Sequence, residues 1–554
     1  MFADYIITGN KIFDGYNKNL FSGAIVISED RIIEVINFED NDLSDYLRYL
    51  GPETELIETK GGLVMPGFID AHTHYFSAAI ASSRYVCSEL DKSSSEEDAV
   101  RIIKRFADCN PGLSRIRGRG WFITNWNRSD LPSKESLDKE LPDIPVYLQA
   151  ADAHSFWLNS AALEECGIDK KTAKNHEGIK VDKSGNPTGI LLELDTTRLA
   201  QKYYEDFTKE ERLEIYNDFQ VTLNGFGVTS LSEMMPYDLC EKTYDQYHVL
   251  SEMEREGNLS ARVHIYLPLF ENDDLGINKT WKEKLDSDYI KISGVKGFVD
   301  GVVETYTGLL LEPYTDRPDT RGENVPFVTQ ERLNKAVYKA NKSGIPVRIH
   351  AIADGSVRMC LDAFEYTKEK LTDNVDNTRR IINNTIEHIE NIAAEDIRRF
   401  SELGVLPSMQ PVHVLLDANG KISRIGEERI KLEWPLKSIL DSAGEIALGT
   451  DCPVVDIDPF TNIYASVSRR FKDGSEASHN PDERLSMFET LRGYTYGAAK
   501  AYGREKELGR IKKGYLADIV IVNKNLFAIS EMDILSCDIK LTMIGGKIVW
   551  RSGI

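Results

Sequence analysis

Eight short apolar runs recur through the middle of this 554-residue chain, each followed by a longer stretch of helical character. They are LVMPGFIDAHTH (63–74), GVTSLSEM (227–234), RVHIYLPLF (262–270), YIKISGVKGFVDG (289–301), IPVRIHAIAD (345–354), NNTIEHIE (383–390), GVLPSMQPVH (404–413) and EIALGTDCPV (445–454). Between them, TQERLNKAVYKANKSG (329–344) repeats Leu333, Ala336, Val337 and Ala340 at helical spacing. Gly344 and Gly404 stand where helix C-termini favour glycine. Eight strands alternating with helices is the count of a (β/α)8 TIM barrel, an α/β fold. One gap breaks the rhythm. From about residue 75 to 226 the chain is far longer than a βα loop needs, so a region is inserted after the first strand. Within it, PVYLQAADAHSFWLNSAALEECGI (145–168) reads as a strand followed by a capped helix.

The two ends differ from the middle. ADYIITGNKIFDG, GAIVISEDRIIEVI and TELIETKGGLVMPG near the start, and LADIVIVNKN and KLTMIGGKIVW near the finish, are β-type runs punctuated by turns. The expected organisation is a small β-sandwich built from residues 1–62 and 506–554. The barrel then occupies 63–505, with a lid-like insertion at about 75–226.

Composition excludes several roles. With 67 basic against 89 acidic residues, the formal charge of −22 repels phosphate backbones, so no nucleic-acid partner is expected. No apolar run approaches the ~18 residues needed to cross a bilayer, and no membrane partner is expected. The start, MFADYIITGN, has no basic patch followed by an apolar stretch. Seven scattered cysteines without a C-x-x-C pair argue against a disulfide framework and against a thiolate zinc site. The expected compartment is the cytoplasm.

Chemistry-bearing residues gather at the C-terminal ends of the predicted strands. His72 and His74 form an H-x-H pair; a period of two puts both on one face, where two imidazoles can share one metal. His350 ends the fifth strand, His388 the sixth and Asp451 the eighth. That rim is where (β/α)8 enzymes keep their active sites. Nitrogen and carboxylate donors without thiolate suit zinc, manganese, iron, cobalt or nickel. Each piece alone has a bland explanation, such as a core histidine or a helix-capping Asp. Five such residues on separate rim positions do not share one.

These motifs carry a resemblance. MPGFIDAHTH (65–74), RIHAIAD (348–354), TIEHIE (385–390), LGTDCPV (448–454) and the tail TYGAAKAYGREKELGRIKKGYLADIVIV (495–522) resemble the amidohydrolase superfamily of metal-dependent hydrolases. GRGWFITNW (118–126), DAHSFWLNSAAL (152–163) and VKGFVDGVVETYTGLLLEPYTD (295–316) resemble the branch of N-substituted formamide deformylases and exoenzyme-regulatory proteins. The resemblance implies that His72, His74 and Asp451 bind the more buried metal, and that His350 and His388 bind a second. It implies that Lys296 bridges the two as a carboxylated lysine; the alternative is a lysine paired with Asp300 or substrate. One or two divalent ions are expected, zinc first. The implied reaction is cleavage of an amide, formamide or cyclic-amide carbon–nitrogen bond in a small-molecule substrate, by metal-activated hydroxide with Asp451 as general base. His154, His413 and Tyr306 are the expected substrate-binding residues; the alternative for His154 is a structural strand-to-helix junction in which Asp152 caps. His413 has a second role open to it, orienting a ligand. Trp121, Trp126, Phe156 and Trp157 either line an apolar pocket or form plain core. The stretch DGVVETYTG after Lys296 departs from the branch, which carries a Gly-Ser-rich loop there, and this bears on formamide specificity. A single-metal deaminase of the same superfamily and a non-catalytic regulatory protein with the same fold are the competing readings. A homo-oligomer is left open.

Overall fold

The computed structural model describes residues 2–39, 44–126, 130–151, 155–234, 241–270, 275–323, 325, 328–372, 382–415, 418–470 and 478–553. Eight parallel strands run in sequential order through its largest α/β layer: β1 (Phe68–Asp70), β2 (Val228–Met234), β3 (Arg262–Pro268), β4 (Ile290–Phe298), β5 (Val347–Ala351), β6 (Thr385–His388), β7 (Leu406–Met409) and β8 (Ala447–Leu448). Their interiors are buried almost throughout, which explains the near-continuous apolar runs of the sequence. The sheet curls into a nearly closed barrel. Between its first and last strands, Ala71 N–H donates to the Leu448 carbonyl at 3.0 Å and Asp451 N–H to that of His72 at 2.7 Å. Thr73 and Cys452 form a parallel bridge just beyond. The seam is therefore built from the segments that carry His72, His74 and Asp451.

Helices pack between the strands as the periodicity predicts. Gln330–Lys342 buries Leu333, Val337 and Ala340, and the Thr329 side chain caps it by accepting from Arg332 N–H at 3.2 Å. The stretch 392–404 is less helical than its pattern suggests: a short 3-10 turn, Ala394–Asp396, precedes a single α-turn, Arg399–Leu403.

The run 63–74 splits in two. Leu63–Pro66 pairs antiparallel with Ile519–Val522, whereas β1 pairs with β2. The switch falls at Gly67, whose N–H donates to Asp518, while that of Phe68 donates to Gly227. Leu63–Pro66 belongs to an eight-stranded sheet that unites both chain ends: Lys547–Arg551, Ile539–Ile544, Ile519–Val522, Leu63–Pro66, Tyr5–Ile12, Phe21–Ser28 and Arg31–Asn37, with Glu55–Glu58 alongside Tyr5–Ile12. Ile7, Ile25, Ile57, Ile519 and Leu541 form its core.

Residues Phe76–Phe219 form a second compact unit. It carries a six-stranded sheet in the order Ile179–Val181, Pro187–Leu192, Ser155–Leu158, Val146–Ala150, Ile116–Trp121 and Val86–Cys87. The stretch 145–168 holds two antiparallel strands before its helix, with Phe156 opposite Gln149. Asn159 caps that helix by accepting from Ala162 N–H at 2.9 Å. Trp121, Trp126 and Trp157 sit in the apolar core of this unit, and Phe156 is fully buried. They are core rather than pocket walls, because their indoles pack on one another at 5.9–6.2 Å.

Candidate metal centre

The His-x-His pair follows β1 directly. Asp70, the last residue of that strand, fixes it: Oδ1 accepts from the N–H groups of His72 (3.1 Å) and Thr450 (3.0 Å), and Oδ2 from the Thr450 hydroxyl (2.7 Å). One carboxylate thus ties the two segments that supply the donors. Burial pushes it up to about 7, against the pull of Thr450 and His72. The approach is close enough that a Cβ on Gly449 would lie 2.5 Å from the His72 nitrogen.

Three donors converge. His72 Nε2 lies 3.5 Å and His74 Nε2 3.2 Å from Asp451 Oδ1, and all three atoms lie within 4.8 Å of one another. Asp451 Oδ1 is buried with no hydrogen bond among the described residues, so a buried anionic oxygen faces two imidazoles and no proton donor of good geometry. That donor set fits a divalent cation. Burial, then the charge of Lys296, drives the His72 imidazole well below its usual pKa; burial and the neighbouring histidines do the same to His388. Both shifts favour the neutral imidazole, the form that a ligand takes. Burial alone would raise Asp451, but His72, His74 and His413 outweigh it and hold the carboxyl well below the usual range. Asp451 (φ 65°) and His388 (φ 74°) both occupy the left-handed region, a strain of about 1–3 kcal/mol each that clusters at functional sites.

The other two rim histidines adjoin this group. His388 packs its ring 4.7 Å from that of His72 and 4.5 Å from that of His350. Its Nδ1 faces Gln410 Oε1 at 2.9 Å. His350 Nε2 stands 3.9 Å from Asp300. Lys296, on β4, is buried, and its Nζ has no hydrogen bond among the described residues; the Phe298 ring lies 5.0 Å away. Burial lowers it to about 8, with Glu387 and Asp451 opposing. The Asp300 carboxylate is instead used by the backbone N–H groups of Leu309, Ile352 and Ala353.

The expected substrate-binding residues are placed differently. His413 is buried, with Nε2 3.1 Å from the Thr450 carbonyl, one residue from Asp451, and its ring against Trp434. The Tyr306 hydroxyl donates to Asp316 at 2.8 Å. His154 lies outside the described residues. Sequence reasoning singled out neither Asp70 nor Gln410, and it passed over Glu387, whose Oε2 sits 2.6 Å from His72 Nδ1. Burial would raise Glu387, but Arg348 and Lys296 hold it below the usual range. The available signal was a glutamate immediately before a rim histidine, inside a buried strand.

A parallel eight-stranded barrel with a His-x-His pair and an Asp at its C-terminal seam defines the amidohydrolase class of α/β proteins. The chain belongs to the Amidohydrolase family, which matches residues 55–550. It is 29% identical to the Arabidopsis thaliana "Protein LONG AFTER FAR-RED 3" over 98% of this chain and 91% of that protein. It is 26% identical to the N-substituted formamide deformylase of Arthrobacter pascens, over 92% and 91% respectively. The crystal structure of an uncharacterized metal-dependent hydrolase from Pyrococcus horikoshii superposes with a TM-score of 0.76 at 26% identity, covering 95% of this chain and 99% of that one.

Proposed function

We propose that the protein is a metal-dependent hydrolase that cleaves the carbon–nitrogen bond of a small amide, formamide or cyclic amide. The observation that carries this is the convergence of His72, His74 and Asp451, two imidazoles and a carboxylate, with His72 and Asp451 buried and His74 half-buried. The formamide deformylase relative supports carbon–nitrogen hydrolysis as a general kind, and the uncharacterized hydrolase from P. horikoshii supports metal dependence.

His72, His74 and Asp451 would hold one ion, and His350 and His388 a second, with Lys296 carboxylated between them. A divalent ion, zinc first, lowers the pKa of water to near 7 and polarises a carbonyl. The chain's own residues do the rest. Asp451 takes a proton on its carboxylate as the carbonyl carbon is attacked, and returns it to the departing nitrogen. Its Oδ1 is buried with no hydrogen bond among the described residues, which leaves a lone pair for that proton. The buried Lys296 amine has two properties that carboxylation needs, a lowered pKa and an Nζ with no hydrogen bond among the described residues. His413 holds the Thr450 carbonyl and so fixes the backbone that aims Asp451.

A single-metal deaminase is the second reading. What favours it is that His350 and His388 are not part of the three-donor group. Elemental analysis of protein purified without chelator, then a screen of amides and aminated heterocycles for released amine, formate or ammonia, separates the two. Two equivalents of metal and amine release support the amide hydrolase. One equivalent and ammonia release from a ring support the deaminase, and no metal with no activation by zinc, manganese or cobalt refutes both.

A further inference from the structure

We infer that Glu387, held by Arg348 and Thr385, is a positioning residue that selects the ring tautomer of His72. The inference rests on the metal-site reading above. Glu387 lies on β6, between the inward-facing Thr385 hydroxyl and His388, and is fully buried. Its two oxygens have separate duties. Oε1 accepts from Arg348 Nε at 2.8 Å and from the Thr385 hydroxyl at 2.5 Å. Oε2 faces His72 Nδ1 at 2.6 Å.

A carboxylate has no proton to give, so His72 must donate from Nδ1. The ring proton is then committed, and Nε2, which faces Asp451, presents its lone pair. A metal needs that nitrogen bare. The partner of Glu387 explains why this arrangement does not lapse into a neutral acid. Arg348 is fully buried, stacks 4.8 Å from the Tyr266 ring and cannot lose its charge. A buried ion pair is a poor source of stability, because desolvation consumes most of the attraction. A device that fixes a hydrogen-bond direction is a better reason for one inside a barrel.

The geometry makes one isosteric substitution decisive. In Glu387→Gln, Arg348 Nε, which can only donate, pins the amide oxygen at the Oε1 position, while the Thr385 hydroxyl can donate or accept and follows either arrangement. The amide NH2 then occupies the Oε2 position and donates to His72 Nδ1. The ring must move its proton to Nε2, which can no longer bind a cation. Removing the pin with Arg348→Met lets the amide turn over, and its oxygen again accepts from Nδ1. A purely structural glutamate predicts neither the inversion nor its reversal.

The test titrates zinc ion into chelator-treated full-length protein against a chromophoric chelator. Histidine-selective 15N spectra of the metal-free samples are recorded alongside, with His72 assigned from a His72→Gln variant. Glu387→Gln is expected to weaken zinc binding at least ~10–100-fold, the range for lost partners of ligating histidines. Its His72 signal should show the proton moved from Nδ1 to Nε2. Arg348→Met/Glu387→Gln should recover a large part of the affinity and the Nδ1–H form, and it also removes the unpaired buried cation should the single variant fold poorly. Binding within two-fold of wild type in Glu387→Gln, or a double variant no better than the single, overturns the inference. Should wild-type protein bind no zinc, the metal reading fails, and the tautomers alone decide: Nδ1–H in wild type and Nε2–H in Glu387→Gln sustain the positioning role, and identical tautomers end it.

Discussion

In the inserted unit Phe76–Phe219, Trp121, Trp126 and Trp157 pack edge to face among Leu90, Ile103, Leu148 and Ile190. At the barrel rim the equally buried positions hold His72, Lys296, Glu387, His388 and Asp451. The first kind of core stabilises, at roughly 1.5–3 kcal/mol per large apolar side chain taken out of water. The second kind costs, because each charge leaves water and two residues sit in left-handed backbone. A chain that buries both kinds separates where it gains stability from where it keeps chemistry. The contrast is also why a buried polar group is the more informative observation.

The largest expected effects break the rim without breaking the fold. Asp451→Asn should lower turnover by on the order of 10²–10⁴, the range for a lost general base, and His72→Ala should lower both turnover and bound metal. The metal-free Asp451→Asn protein should match or exceed wild type in its thermal transition, since a costly buried charge has gone, whereas His72→Ala should unfold at a lower temperature, because it leaves a cavity and strips Glu387 of its partner. Kinetics, elemental analysis and calorimetry read the three quantities. Near-wild-type turnover in Asp451→Asn would remove its role as base. Lys296→Ala comes next. It should lose turnover and one metal equivalent, and short carboxylic acids should restore part of both by standing where the carbamate stood. Retained binuclear loading in Lys296→Ala would rule out the bridge.

How much of this was legible in the sequence follows the same division. The eight strands and the five rim residues His72, His74, His350, His388 and Asp451 could be read because apolar runs mark strands and a polar residue at the end of one stands out. Gln410 and Asp70 could not be singled out, and Glu387 offered only its place before a rim histidine. Their importance lies in which atom faces which across strands, such as Glu387 Oε2 against His72 Nδ1 315 residues away. Periodicity reports a face and carries no register. The split of 63–74 between two sheets escaped notice for a related reason: both halves are buried and apolar, and only their partners differ. The tryptophans were ambiguous in the sequence, and the structure puts them in the core. An aromatic residue has the same signature in a core and in a pocket wall, and here the three indoles pack on one another and donate to Leu148, Ser93 and Ser133.

The apolar side of the comparison is sharpened by Trp157→Ala. Trp157 is fully buried and donates from its indole to the Ser133 carbonyl at 2.9 Å. Truncation removes that bond and leaves a cavity, for an expected loss of about 3–5 kcal/mol. Chemical denaturation followed by tryptophan fluorescence should show it, while zinc affinity measured on the folded fraction stays at the wild-type value. A change in zinc affinity as large as that of a ligand variant would show that the apolar core and the site are not separable.

The smallest effect concerns a polar cluster that does belong to the inserted unit. Arg115 pairs with Glu165 at 2.7 Å, and the Tyr147 hydroxyl donates to the same carboxylate at 2.6 Å. Burial would raise Glu165, but Arg115 and Tyr147 outweigh it and leave its pKa below the ordinary 4.5. A carboxyl depressed on folding binds fewer protons in the native state than in the unfolded one. Its contribution is therefore fully present above the unfolded pKa and is lost as pH falls through the lower, folded value. The pair is partly exposed, so screening keeps the contribution small. Glu165→Gln should destabilise at pH 7 and progressively less below about pH 4, with the two urea midpoints converging at the acid end. Subtracting variant from wild type isolates this group from every other carboxylate that titrates there. A difference that stayed constant with pH would mean that Glu165 acts through packing and neutral hydrogen bonds alone.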